Sequence, residues 1–124
     1  EPEEYLPEPT TDETPYVLEE GFQPLTLTDF VPFPEGSAGW SEAGDKLLAT
    51  GKPKGYLASR ESFENFTWRL ELRYPRPKSL TEDAAFKGNT GFLVYITGEP
   101  KIWPICLEVQ GKHVQLGSIK ENGG

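Results

Sequence analysis

Glu108, Gln110 and His113, the only histidine, fall within one short stretch, KIWPICLEVQGKH, that begins at Lys101 and places Trp103 just ahead of them. A carboxylate and a histidine are the residue types that move protons near neutral pH, and an amide beside them can read a hydroxyl. From Ile105 to Gln110 the pattern alternates, so Ile105, Leu107 and Val109 share one side of an extended chain while Cys106, Glu108 and Gln110 share the other. A second acid, Glu71, lies in NFTWRLELRYP, where Phe66, Trp68, Leu70 and Leu72 alternate with Thr67, Arg69, Glu71 and Arg73. If these two segments belong to one sheet, its greasy face packs inward and its polar face carries Arg69, Glu71, Arg73, Glu108 and Gln110, which is where a site belongs. The plainer reading is an antiparallel strand with one face in a core and one in water, Glu71 and Arg73 forming cross-strand ion pairs worth under about 1 kcal/mol. In that reading Trp68 is core, in phase with Phe66 and Leu70.

The elements that must hold these residues are strands. The chain has 13 glycines, 12 prolines and 15 aromatic residues, which divide it into short pieces. FQPLTLTDFVPF reads as an edge segment because its prolines exclude a central ladder position. GWSEAGDKLLATG reads as a hairpin turning at Ala43-Gly44-Asp45, and GYLASR (55 to 60) as a short strand. A loop, RPKSLTEDAAFKGN, leads to GFLVYITG, with Phe92, Val94 and Ile96 on one side and Leu93 and Tyr95 on the other. GNTG ahead of it is read as a turn whose glycines supply positive φ. VQLGSI is a candidate last strand. About seven half-buried strands imply an all-β antiparallel sandwich.

Charge is unevenly placed. The net charge is −8, yet residues 1 to 20 hold eight acidic side chains and no Lys or Arg, while the remainder balances twelve acidic against twelve basic. With four prolines, that opening stretch is expected to be an extended leader or linker, and residues 21 to 124 a folded domain. A neutral body without a basic stripe points away from nucleic acid. No apolar run is long enough to span a bilayer. The single cysteine, Cys106, permits no internal disulfide and reads as a buried thiol.

Three stretches in series carry a likeness. GWSEAGDKLLATGKPKGYLASRESFENFTWRLELRYP, then GNTGFLVYITG, then IWPICLEVQG resemble, in order and spacing, the 3-keto-disaccharide hydrolase domain family, formerly a domain of unknown function found in secreted bacterial proteins. The resemblance covers roughly residues 21 to 124 and implies a concanavalin-like jelly-roll sandwich whose concave sheet carries sugar. Thr90 stands where the family usually has serine, and Tyr95 where many members have arginine. Family members continue with several more strands, so the resemblance implies a truncated portion, completed by other domains or a second chain. It also implies a secreted, periplasmic or cell-surface location.

The chemistry the resemblance implies is removal of the proton at C2 of a 3-keto-glycoside, elimination of the C1 leaving group and hydration, a net hydrolysis. Glu108 would be the base or a ligand of a divalent metal, His113 its partner and Gln110 a hydroxyl reader. Arg69, Arg73 or Arg60 would hold the developing enolate. Ordinary glycoside hydrolysis by Glu71 and Glu108 is a second scheme, retaining at a separation of about 5 Å and inverting at about 6.5–9.5 Å. The non-catalytic alternative is a carbohydrate-binding or interaction module in which Trp40, Tyr56, Tyr95, Trp103, Asn89 and Gln110 contact a glycan.

Overall fold

The computed structural model describes residues 3–7 and 17–123. It is all-β and antiparallel, as the short alternating segments require. The seven strands among the described residues are β1 (Phe30–Phe33), β2 (Trp40–Ala43), β3 (Lys46–Ala49), β4 (Tyr56–Ser59), β5 (Gly91–Thr97), β6 (Ile105–Gln110) and β7 (Ile119–Asn122). The helical elements among the described residues are three single 3-10 turns, at Leu27–Asp29, Asp83–Ala85 and His113–Gln115. Among the described residues no helix is long and apolar enough to cross a membrane.

Three small sheets result: β1 with β4, β2 with β3, and β5-β6-β7. The hairpin β2–β3 closes through Gly44 at φ +62°, the left-handed first position that a two-residue type II′ turn demands. β1 carries Pro32 opposite Leu57, and its Phe33 ring stacks on Tyr56 of β4 with centroids 5.3 Å apart. In the third sheet β5 and β6 pair from Gly91↔Gln110 to Val94↔Leu107, after which the register shifts around Tyr95. Tyr95 has φ +57°, which breaks the alternation expected to run unbroken from Phe92 to Ile96.

Three sequence expectations are corrected. The stretch 66–73 forms no strand: an extended pattern needs a neighbour to take its backbone N–H and C=O groups, and no described strand pairs with it. Phe66, Trp68, Leu70 and Leu72 are accordingly exposed, not core. VQLGSI is likewise mostly a 3-10 turn and loop, and the last strand starts only at Ile119. Of the opening stretch, residues 1–2 and 8–16 lie outside the described residues, and Tyr5 bridges Pro77 in antiparallel fashion.

The third correction concerns which side of β6 is covered. Cys106, Glu108 and Gln110 are 5 to 6% exposed, whereas Ile105 and Leu107 are 43% and 37% exposed. The period-two grouping holds and the assignment of inside and outside is reversed. Directly paired residues share a face, so Phe92, Val94, Leu107, Val109 and Ile119 form the open face. Gly91, Leu93, Cys106, Glu108, Gln110 and Asn122 form the covered one. Burial pushes the Tyr56 hydroxyl above its ordinary value, and the charge of Cys106 adds to that.

Candidate functional site

On the covered face the polar side chains satisfy one another. Asn122 pairs with Cys106 across the β6–β7 ladder, which makes it a diagonal neighbour of Glu108, and its Nδ2 donates to Glu108 Oε2 at 2.6 Å. Gly91 lies opposite Gln110 and therefore diagonal to Glu108 on the other flank. Its hydrogen is what admits the acid: a Cβ there would lie 2.7 Å from Glu108 Cδ and 2.9 Å from Cγ. Gly91 thus serves close packing, and neither it nor Gly88 has positive φ, contrary to the turn expectation for GNTG. Gln110 Oε1 accepts from the backbone N–H of Gly111 (3.1 Å) and Lys112 (3.2 Å), fixing the turn that leaves β6. Burial pushes the Cys106 thiol above its ordinary value, and the neighbouring charge of Glu108 adds to that, against a hydrogen bond from Asn122.

This arrangement is a closed polar cluster, and it does not assemble the expected catalytic set. Glu71 lines an open hollow with Trp68, Arg69, Leu70, Leu72, Phe92 and Val109. Val109 and Glu108 are consecutive in a strand and point to opposite faces, so Glu71 and Glu108 do not share a hollow. Glu108 is spent on Asn122 and sealed from solvent. His113 is exposed on the 3-10 turn after β6, its ring 6.1 Å from that of Phe86. A divalent metal does not fit these residues: among the described residues no group of three or more His, Cys, Asp and Glu side chains gathers.

The remaining candidates scatter. Arg69 pairs with Glu19 at 2.8 Å and lies over the Phe22 ring at 5.3 Å, tying the leader's end to the loop. Arg60 Nε donates to the carbonyl of Thr28 at 2.8 Å, a structural bond between loops. Arg73 and Asn89 are exposed, as are Tyr95 (69%) and Trp103 (57%), which sits just before the fully buried Pro104.

Two features escaped the sequence reading. One is the open apolar face of β5-β6-β7, against which Trp68 stands edge-on to Phe92 with centroids 5.8 Å apart. The other is a row of rings, Tyr74, Phe86 and His113, in which Tyr74 and Phe86 meet at 5.0 Å. The Tyr74 hydroxyl donates to the Gly111 carbonyl at 2.7 Å, and burial pushes its pKa up. Together with Pro75, Arg76, Leu80 and Asp83 these rings line a hollow of about 210 Å³. At its mouth Arg76 bonds Asp83 at 2.6 Å and holds that carboxyl below its usual range. The separation of these ring positions in sequence, with no common period, is why only the fold reveals them.

No family model matches the chain, and no solved structure matches it. Over 81 residues it is 31% identical to the protein named translation initiation factor 2 subunit alpha from Saccharolobus solfataricus, an alignment covering 64% of this chain and 29% of the relative. The subunit alpha of Saccharolobus islandicus matches with the same identity and coverage. The chain therefore spans less than a third of the length of these curated relatives. These relatives overturn the expectation of a domain that cleaves or binds carbohydrate, because the proteins the chain is similar to are translation factor subunits. The closed state of Glu108 agrees with that correction on independent, geometric grounds.

Proposed function

We propose that this chain is a non-catalytic interaction module of a translation-initiation assembly. The observation that carries the reading is its partial identity to a protein named as a subunit of a translation initiation factor. A subunit needs a surface for another protein, and the open sheet face supplies one. Phe92, Val94, Leu107, Val109 and Ile119 present a continuous apolar surface, extended by Trp68, Leu70 and Leu72. Covering such a face stabilises an assembly by roughly 25 cal/mol for each Å² of apolar surface removed from water. The buried polar face stiffens the sheet from behind, so the docking side chains are held in place before a partner arrives.

The test is sedimentation of the tagged chain with translation initiation complexes from a cell extract on a sucrose gradient. The wild-type chain is expected in the fractions that contain initiating ribosomal subunits. Leu107→Asp, which places a charge in the middle of the open face, is expected to leave it at the top of the gradient. A wild-type chain that stays at the top under every condition refutes the reading.

A further inference from the structure

The chain already shows how an extended segment is bound at one edge. Residues 3–7 lie antiparallel to residues 76–78, with Tyr5 opposite Pro77. The Leu6 N–H donates to the Arg76 carbonyl and the Lys78 N–H to the Glu4 carbonyl, both at 2.8 Å. Bonds that flank a bridge in this way make Tyr5 and Pro77 a non-hydrogen-bonded pair, so the N–H that proline lacks is not called for. The two bonds that hold the segment to this short rail therefore use the Arg76 carbonyl and the Lys78 N–H, and neither calls on Pro75 or Pro77 to donate. The side chains add charge selectivity: Lys78 Nζ meets Glu4 Oε2 at 3.1 Å and Ser79 Oγ donates to Glu3 Oε1 at 2.8 Å. The rail sits in RYPRPK, where three of six residues are basic, within a chain of net charge −8.

The segment 3–7 is exposed at every position, so its departure uncovers no core. Two backbone bonds, one surface ion pair and one exposed side-chain hydrogen bond are individually weak interactions. The rail is therefore exchangeable, and its side chains specify what else fits: an extended strand bearing adjacent carboxylates one and two residues ahead of the bridge position. We propose that the rail Arg76–Lys78 with Ser79 is a docking edge for an acidic, extended peptide of a partner protein, added as a strand, and that the chain's own segment 3–7 is its internal competitor. This inference uses residues apart from the open face of β5-β6-β7 and stands or falls independently of the assembly reading.

The experiment is fluorescence anisotropy of a labelled peptide, EPEEYLP, titrated with the full chain at low salt. Leu6→Pro removes the N–H that holds the internal segment to Arg76, and is expected to bind the peptide about threefold to tenfold more tightly than wild type. Lys78→Glu in that background is expected to lose about tenfold or more, Ser79→Ala to weaken binding without altering the circular dichroism spectrum, and high salt to suppress binding generally. The charge-reversed peptide EPKKYLP is expected not to bind. Absence of saturable binding to the Leu6→Pro chain overturns the proposal, as does equal binding of the two peptides. Concentration-dependent dimerisation of the wild-type chain, abolished by Leu6→Pro, would assign the edge to a second copy and overturn the choice of partner.

Discussion

Replacing Gly91 by alanine isolates the contact on which the covered face of the sheet depends. The new Cβ would stand 2.7 Å from Cδ and 2.9 Å from Cγ of Glu108, distances that no relaxed structure tolerates. Glu108 is 6% exposed and its stem is enclosed along with its tip, so it cannot swing into water without parting from Asn122. Leaving that buried pair unmade costs about 1–3 kcal/mol. Against this, alanine in place of glycine within a strand recovers roughly 0.5–1 kcal/mol of backbone entropy. The net expectation is a destabilisation of about 1–2 kcal/mol, which lowers the urea midpoint by about 0.5–1 M at a slope of about 2 kcal/mol/M. In a Glu108→Ala background the obstruction is gone and Gly91→Ala should be neutral or slightly stabilising. Urea titration followed by tryptophan fluorescence of the wild type, both single variants and the double variant gives the coupling, expected at about 1–2 kcal/mol. Additivity within about 0.5 kcal/mol would refute the argument that Gly91 exists to admit Glu108.

Two further outcomes follow from the same interior. Because the folded Cys106 thiol titrates above its ordinary value of 9.0, the stability gained by keeping it neutral is complete below that value and is lost as pH climbs through the raised folded value. As pH rises from below 9.0 through the raised folded value the wild type should therefore lose more stability than Cys106→Ala, by urea midpoint, and equal losses would contradict it. Tyr74→Phe removes the hydroxyl that donates to Gly111 at 2.7 Å while leaving the ring against Phe86, and should cost about 1 kcal/mol by thermal or urea unfolding.

The sequence by itself determined the all-β architecture, because its alternating runs are too short and too often interrupted by glycine and proline to build helices. It also determined the hairpin across Gly44 and Asp45, the strands at 56–59, 91–97 and 105–110, and a buried Cys106. Period two in β6 correctly grouped Cys106 with Glu108 and Gln110. What only the tertiary structure decided is which group faces inward. Alternation sorts side chains into two faces, but the face that is covered depends on what packs against it. Here Asn122 satisfies Glu108, the backbone N–H groups of Gly111 and Lys112 satisfy Gln110, and Gly91 leaves room for the acid, while no described strand covers Leu107 and Val109. The same dependence on partners explains residues 66–73, whose alternation is as regular as that of β6 yet forms no strand. A backbone becomes a strand only when a neighbour accepts its hydrogen bonds, and that neighbour is not written in the segment itself.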